Sequence, residues 1–152
     1  MKAITYLFAL LFMFEFTPVA WAGSGEDEIV RIGIQRARAY NEGNLDAVMG
    51  WFADTAVQTA PASPFRIEGK EAIQATYVSA FHNFPTRLYV PRQRLVRVYG
   101  DTTAITNTYY TLTLVDRSGK ATTTHGRLDA TYVRENGRWL VVNQHSSALP
   151  SQ

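Results

Sequence analysis

The pattern of hydrophobic and polar positions changes about halfway along the chain. Between residues 29 and 84, apolar residues recur three or four positions apart, a spacing typical of amphipathic helices. After Pro85, apolar and polar residues follow the alternation of long strands, separated by residues that favour turns. Helices followed by consecutive strands predict an α+β domain in which the helices cover one face of an antiparallel sheet.

Three helices are predicted before Pro85. The first begins at a capping-box pattern over residues 24–27 and ends near Gly43. A short second helix, capped by Asn44, carries apolar residues as far as Phe52, and a third follows Gly69. A short strand over residues 57–59 and a proline-containing loop over residues 60–64 separate the second and third helices.

Four strands are predicted after Pro85, and Pro91 near the start of the first favours a sheet edge or a bulge. They are about twice the usual five or six residues long, so the sheet should curl into a cone that the helices close around a pocket. Asn136-Gly137 favours a type I′ hairpin turn between the last two. The predicted strands span residues 87–99, 103–115, 121–134 and 138–147.

The first 22 residues have the composition of a secretory signal peptide. Lys2 supplies a positive n-region, residues 3–16 a mostly apolar h-region, and Ala20-Trp21-Ala22 a cleavage site. An uncleaved anchor is the alternative, although Glu15 and Pro18 interrupt the apolar run before the roughly 20 residues that span a bilayer. We expect cleavage after Ala22, a periplasmic or secreted protein, and no stable membrane insertion.

The composition limits the classes of function that the chain can have. With 152 residues, 46% of them apolar, it is long enough for one domain with its own core, which we place at residues 26–150. A net charge of +2 is too small to indicate nucleic-acid binding, and no cysteine is present to form a disulfide or accept a lipid. We find no metal-ligand motif and no phosphate-binding loop, so we expect no cofactor.

Three segments of the chain have a recognisable pattern: residues 44–54, residues 67–73 and the ending over residues 137–150, which contains G-x-W-x(5)-H-x-S. Together they resemble the SnoaL-like branch of the nuclear transport factor 2-like superfamily and the association domain of calcium/calmodulin-dependent kinase II. The resemblance implies a conical α+β barrel, a homodimer formed through the sheet, and a hydrophobic pocket. Members include isomerases, dehydratases, cyclases and non-catalytic binders, so the fold alone leaves the chemistry open.

The steroid isomerases of this superfamily offer a sharper comparison. If this chain shared their mechanism, the resemblance implies that it would carry a base Asp just before Pro61, a Tyr on the first helix and a second acid on a late strand. The chain has Ala60 before Pro61 and, by the same spacing, Arg36 on the helix, whereas Asp129 falls at the late-strand acid. An isomerase mechanism is therefore disfavoured.

A polar cluster on the last two strands is the candidate site. Arg127 and Asp129 lie two residues apart and share one face of a strand. If that face looks into the cone, Arg127 could bind a carboxylate, enolate or phosphate, and Asp129 could act as a base or as a buried proton donor. The alternative is a solvated face on which the two residues form a surface ion pair.

His145 and Ser147 share a face of the final strand and complete the candidate site. His145 is the proposed acid or base, with a structural histidine as the alternative, and Ser147 is a ligand contact because no nucleophile-elbow motif occurs. Aromatic residues are expected mainly in the core, with Tyr77 and Tyr109 as pocket-lining candidates. Three arginines, Arg92, Arg94 and Arg97, are interpreted as a solvated basic face.

The sequence thus supports two functions from different classes. The first is an exported small-molecule-binding protein for an apolar carbonyl or carboxylate compound, with Arg127 as its anchor and acid/base chemistry left open. The second is a non-catalytic association module that forms a homodimer or a larger ring.

Overall fold

The computed structural model describes residues 25–150, so the predicted signal peptide and its cleavage site lie outside the described residues. Within that range, three helices and six strands follow one another in the predicted order of helices first and long strands last. Their bounds are α1 Gly25–Glu42, α2 Leu45–Met49, β1 Phe52–Thr59, β2 Ile67–Glu68, α3 Lys70–Asn83, β3 Thr86–Tyr99, β4 Thr103–Val115, β5 Ala121–Glu135 and β6 Arg138–Ala148.

The helices end at residues that the sequence marks as stops. Gly43 follows α1 with a φ of 72°, a left-handed conformation that glycine adopts without steric cost. The side chain of Asn44 then accepts a hydrogen bond from the backbone N–H of Ala47 at 3.0 Å and caps α2. Pro85 follows α3, so the predicted limits of the first and third helices are confirmed.

The predicted extent of the second helix is wrong, because α2 ends at Met49 and β1 already begins at Phe52. The backbone N–H of Val141 donates to the carbonyl of Trp51 at 2.7 Å, which starts the pairing between β1 and β6. Tertiary pairing and burial of Phe52 thus override a local spacing that fits a helix equally well.

The six strands form one strongly curved sheet in the order β2-β1-β6-β5-β4-β3. All neighbours are antiparallel except β1 and β6, which are parallel. The sheet is not closed by hydrogen bonds, since β2 and β3 are its two edges, and the helices close the cone instead. We call the face turned toward α1 and α3 the inner face and the opposite face the outer face.

Two bulges change which residues point inward along a strand. Arg92 is an extra residue in β3, because Pro91 pairs with Tyr110 and Gln93 with the adjacent Tyr109. Val142 is an extra residue in β6, between the pairs made by Val141 and Asn143. A bulge reverses the odd-even alternation beyond it. Pro91 thus lies in an edge strand and next to a bulge, so both predictions made for it are confirmed.

The core lies between the inner face and the helices. Its largest fully buried side chains are Trp139 and Phe52 from the sheet and Ile29 and Ile73 from α1 and α3. Glu28 ties α1 to the sheet, because its carboxylate accepts from the indole N–H of Trp139 at 3.0 Å and forms an ion pair with Arg134. None of the helices within residues 25–150 has the length and hydrophobicity needed to cross a membrane.

Candidate functional site

A cavity of about 490 Å³ lies between α1, α3 and the inner face of the sheet. This volume is within the range of small-molecule sites in proteins. Helix α1 contributes a row from Ile29 to Tyr40, α3 contributes Tyr77 and its neighbours, and the loop over residues 60–62 covers one side. The cavity exists because the sheet curls away from the helices along its length.

One wall of the cavity is aromatic. The ring of Tyr40 meets those of Tyr77, Phe81 and Tyr89 edge to face, with centroids 5.6 to 6.2 Å apart. Tyr89 in turn packs against Tyr110 at 5.1 Å across the β3–β4 pair. Such contacts hold large rings in fixed positions, so this wall offers a rigid apolar surface.

Arg36 of α1 supplies the positive charge at the polar end of the cavity. One terminal nitrogen donates to the hydroxyl of Tyr132 at 2.7 Å, and the other donates to the side-chain oxygen of Gln144. The guanidinium also lies over the rings of Phe52 and Tyr132, at 5.3 and 5.8 Å from their centroids. Residues from α1, β1, β5 and β6 therefore fix the position of this cation.

Among residues 25–150, no carboxylate forms an ion pair with Arg36. The ion pairs among residues 25–150 do not include Arg36, and none of the described residues that line the cavity is Asp or Glu. Burial opposes the charged form, but the phenol oxygens of Tyr132 and Tyr77 and the hydrogen bond to Tyr132 outweigh it and raise the pKa of Arg36. The cavity thus contains a permanent positive charge without a counter-ion from residues 25–150.

Two buried polar atoms at this end have no hydrogen-bond partner among the described residues, Nε of Arg36 and Oε1 of Gln58. Gln58 lies on β1 directly opposite Gln144 of β6, whose amide donates to the Tyr77 hydroxyl at 3.4 Å. A buried polar group without a partner costs about 1–3 kcal/mol. The polar end of the cavity is therefore incompletely satisfied in the protein alone.

Arg94 of β3 is the second charged residue that lines the cavity. The bulge at Arg92 turns Arg94 inward, where it pairs with the buried Thr108, whereas Arg92 itself hydrogen bonds to Thr111 on the outer face. The prediction that Arg94 belongs to a solvated basic face is therefore wrong. Arg97, beyond the bulge, is exposed on the outer face, as expected.

The structure places Tyr77 in the cavity, but it places Arg127, Asp129 and Tyr109 on the outer face. Their neighbours Leu128 and Tyr110 line the cavity instead. Asp129 accepts a hydrogen bond from Asn107 at 2.9 Å, and the Arg127 guanidinium lies 5.4 Å from the Tyr109 ring centroid. The polar face of β5 is therefore the outer face, which is the alternative that the sequence left open, because the helices pack on the opposite face.

His145 and Ser147 also lie on the outer face, opposite Asp129 and Arg127 in the β5–β6 register. In a regular strand they would share a face with the buried Trp139 and point inward. The bulge at Val142 reverses this alternation, so Gln144 and Ser146 line the cavity in their place. The structure therefore does not bring these four residues together in the cavity, and on the outer face Arg127 and His145 are exposed while Asp129 and Ser147 are partly buried.

Sequence analysis missed the residues that give the cavity its polarity, namely Arg36, Gln58, Arg94 and Gln144. A signal for Arg36 was present, because the comparison with steroid isomerases placed it where a catalytic Tyr would be. Both Arg36 and Ala60 line the cavity, so the two positions at which this chain departs from the isomerase pattern lie in the candidate site.

The titratable groups that line the cavity are tyrosines and arginines, with no Asp, Glu or His among the described lining residues. Burial raises the pKa of Tyr40 to about 12. Burial also raises the pKa of Tyr89 to about 12, although the charges of Arg94 and Arg36 act to lower it. Both phenols are therefore neutral hydrogen-bonding groups near neutral pH. Across residues 25–150, no three acidic or histidine side chains converge to hold a metal ion.

A curled sheet closed by three helices around an inner cavity defines the nuclear transport factor 2-like class of α+β proteins. Residues 25–150 match the calcium/calmodulin dependent protein kinase II association domain, and the chain belongs to that family. No curated protein is significantly similar to the chain in sequence.

Solved structures agree with this assignment. A protein from Xanthomonas campestris, described as a calcium/calmodulin dependent protein kinase II association domain, is 27% identical, with a TM-score of 0.74 over 82% of this chain and 88% of that one. A nuclear transport factor 2-like protein from Salmonella enterica is 19% identical, with a TM-score of 0.76 over 83% and 92%. A protein from Novosphingobium aromaticivorans described as a scytalone dehydratase is 12% identical, with a TM-score of 0.74 over 80% and 82%.

Proposed function

We propose that this protein binds a small, largely apolar molecule that carries a carboxylate, enolate or similar negatively polarised oxygen. The observation that carries the proposal is Arg36, a cation held in the cavity without a carboxylate partner among the described residues. Hydrogen bonds to a charged group in a site of low dielectric constant contribute more than those in water. An anionic ligand would supply the missing counter-ion.

The aromatic wall supports the apolar part of the proposal. Tyr40, Tyr77, Tyr89 and Tyr110 present ring faces and edges to the cavity, and leucines from β4 and β5 extend the apolar surface. Pockets of this kind bind through apolar burial, while a few fixed polar groups orient the ligand. The ligand's acceptor oxygen would lie near Arg36 and its apolar body against the tyrosines.

Binding without acid/base catalysis is the form of this function that the lining supports. The predicted proton-handling residues, Asp129 and His145, lie on the outer face. Inside, Arg36 stays protonated, and Tyr40 and Tyr89 stay neutral because burial raises their pKa values. Residues suited to accept a proton near neutral pH are therefore missing from the described part of the lining.

Native mass spectrometry of the purified full chain, expressed with its own leader, tests the proposal. We expect a retained small molecule on the parent protein and its loss in Arg36→Gln. Arg97→Gln is the matched control, because it removes an exposed arginine from the outer face. Retention of the same molecule by Arg36→Gln, or its equal loss in Arg97→Gln, would overturn the proposal.

We also propose export to the periplasm or the exterior, with cleavage after Ala22, because of the n-region, h-region and A-x-A site of residues 1–22. The intact mass of the protein in the periplasmic fraction should correspond to a chain that begins at Gly23. A full-length mass confined to the membrane fraction would instead indicate the uncleaved anchor.

A second candidate function, self-association through the outer face, is favoured by the family and by exposed apolar residues. Among residues 25–150, five of the nine exposed large hydrophobic residues lie on the outer face of β3 and β4. Such a concentration is typical of an interaction surface. The five are Leu88, Leu95, Tyr99, Ile105 and Tyr109.

Analytical ultracentrifugation tests self-association. The parent protein should sediment as a dimer or a larger ring, and Ile105→Lys should shift it toward the monomer. Val78→Lys is the matched control, since Val78 is also an exposed β-branched apolar residue but lies on α3. A monomeric parent protein at micromolar concentration would exclude this function and leave the binding proposal intact.

A further inference from the structure

Gly33 lies in the interior of α1, where glycine is among the least favourable residues. A Cβ atom at this position would lie 2.6 Å from Cζ of Arg94 and 3.0 Å from its Nη2. Separations this short are not tolerated between non-bonded atoms. The missing side chain at Gly33 therefore provides the space in which the Arg94 guanidinium sits.

Arg94 has few partners in that space. Its Nη1 donates to the backbone carbonyl of Val30 at a long 3.4 Å, and the ion pairs of the described chain do not include it. The Arg94 side chain is only partly buried, so its charge is open to a ligand in the cavity that it lines. Like Arg36, Arg94 thus has capacity to bind an anion.

The two arginines face the same cavity from different sides. Arg36 reaches from α1 toward β5 and β6, where it contacts Tyr132 and Gln144, whereas Arg94 reaches from β3 toward α1. Tyr89 lies within electrostatic range of both, because both guanidiniums act to lower the pKa of its phenol against the larger effect of burial. Two separate cations therefore flank the aromatic wall.

We propose that the cavity binds a molecule with two negatively charged groups on one apolar body, the first held by Arg36 and the second by Arg94. This rests on the proposed function, because the same cavity and the same Arg36 contact are involved. Gly33 is then a specificity-determining position in the cavity wall, because its missing side chain sets the place of the second cation.

Isothermal titration calorimetry with a ladder of linear diacids tests the inference. The probes are adipate, suberate and sebacate, each compared with the monocarboxylate of equal chain length, on protein refolded from urea to remove any copurified molecule. We expect at least one diacid to bind about tenfold more tightly than its monocarboxylate, the size of one charge-assisted hydrogen bond. The preferred chain length reports the spacing between the two cations.

Three variants separate the role of Arg94 from general effects. Arg94→Gln and Gly33→Ala should bind the diacid and the monocarboxylate about equally, whereas Arg97→Gln on the outer face of the same strand should keep the tenfold difference. Gly33→Ala should also unfold at an equal or higher urea concentration than the parent, since alanine favours the helix. A loss of selectivity in a fully folded protein cannot then be attributed to unfolding.

The outcomes distinguish the inference from the proposed function. Equal affinity for diacids and monocarboxylates in the parent, persistence of the difference in Arg94→Gln, or failure of every diacid to bind would overturn the inference. The proposed function would survive any of these results if native mass spectrometry showed a retained molecule that Arg36→Gln loses.

Discussion

The two faces of the sheet differ in the kind of polarity that they carry. Along β4, the inner residues Thr106 and Thr108 are buried and neutral, whereas Asn107 and Tyr109 between them are exposed. The outer face of β5 and β6 holds the charged group that includes Arg127 and Asp129, while the cavity receives its charge from α1 and from the bulged edge strand β3. Charged residues of β5 and β6 thus mark the outer face of this sheet, whereas the inner faces of the same two strands give the cavity neutral hydroxyl and amide groups.

The largest expected difference is in the free energy of unfolding, between a variant of a buried inner residue and a variant of an exposed outer residue on the same strand. Trp139→Ala should lower the free energy of unfolding by roughly 3–5 kcal/mol, because it opens a large void in the core. His145→Ala should change that free energy by no more than about 0.5 kcal/mol, because the side chain is exposed. Urea unfolding followed by circular dichroism measures both. Similar losses in the two variants would contradict the assignment of the faces.

A smaller effect is expected from the cavity tyrosines at high pH. Folding raises the pKa of Tyr40 and Tyr89 to about 12, from about 10 in the unfolded chain. The stability that each contributes is therefore fully present below about pH 10 and is lost as the pH rises toward 12, by roughly 2–3 kcal/mol per group.

The dependence of urea unfolding on pH between 8 and 11.5 checks this expectation. The free energy of unfolding should fall above pH 10 in the parent protein. It should fall less steeply in Tyr89→Phe, because this variant has one fewer titrating phenol. The double variant with Tyr40→Phe should be flatter still. Identical slopes in all three proteins would show that these phenols are solvated rather than buried against the cavity.

The smallest effect compares a carboxylate of α1 that contacts the sheet with a carboxylate on the outer face. Glu28→Gln should cost about 1 kcal/mol of unfolding free energy, because Glu28 serves both Arg134 and the Trp139 indole at a half-exposed contact between α1 and the sheet. Asp129→Asn should cost less than about 0.5 kcal/mol, since it alters one exposed hydrogen bond to Asn107. Equal costs, measured by urea unfolding, would show that the two faces are equally well packed.

The sequence was sufficient to predict the fold because its signals are local. Asn136 and Gly137 both adopt positive φ, at 51° and 76°, as the predicted hairpin turn requires. Asp116 closes the turn between β4 and β5 by accepting from the backbone N–H groups of Ser118 and Lys120. Such turns and the long alternating runs between them define each of the strands β3 to β6 without reference to the rest of the chain.

The site could not be predicted in the same way, because its composition depends on which face the helices cover and on two bulges. A single extra residue at Val142 moves His145 and Ser147 out of the cavity and brings Gln144 in. Another at Arg92 brings Arg94 in. No local turn residue marks the bulge at Val142, and although Pro91 indicates a bulge in β3, it does not say which arginine faces inward.

The parallel pairing of β1 with β6 has a consequence for how the chain folds as it is made. Thr59 lies opposite His145, so a strand from the first half of the chain completes its hydrogen bonds only with the last strand to be synthesised. Pairings this distant in sequence form slowly and late. Until β6 pairs, one side of β1 is unpaired and the core lacks Trp139. The sheet can therefore be completed only once residues 138–148 are available for pairing.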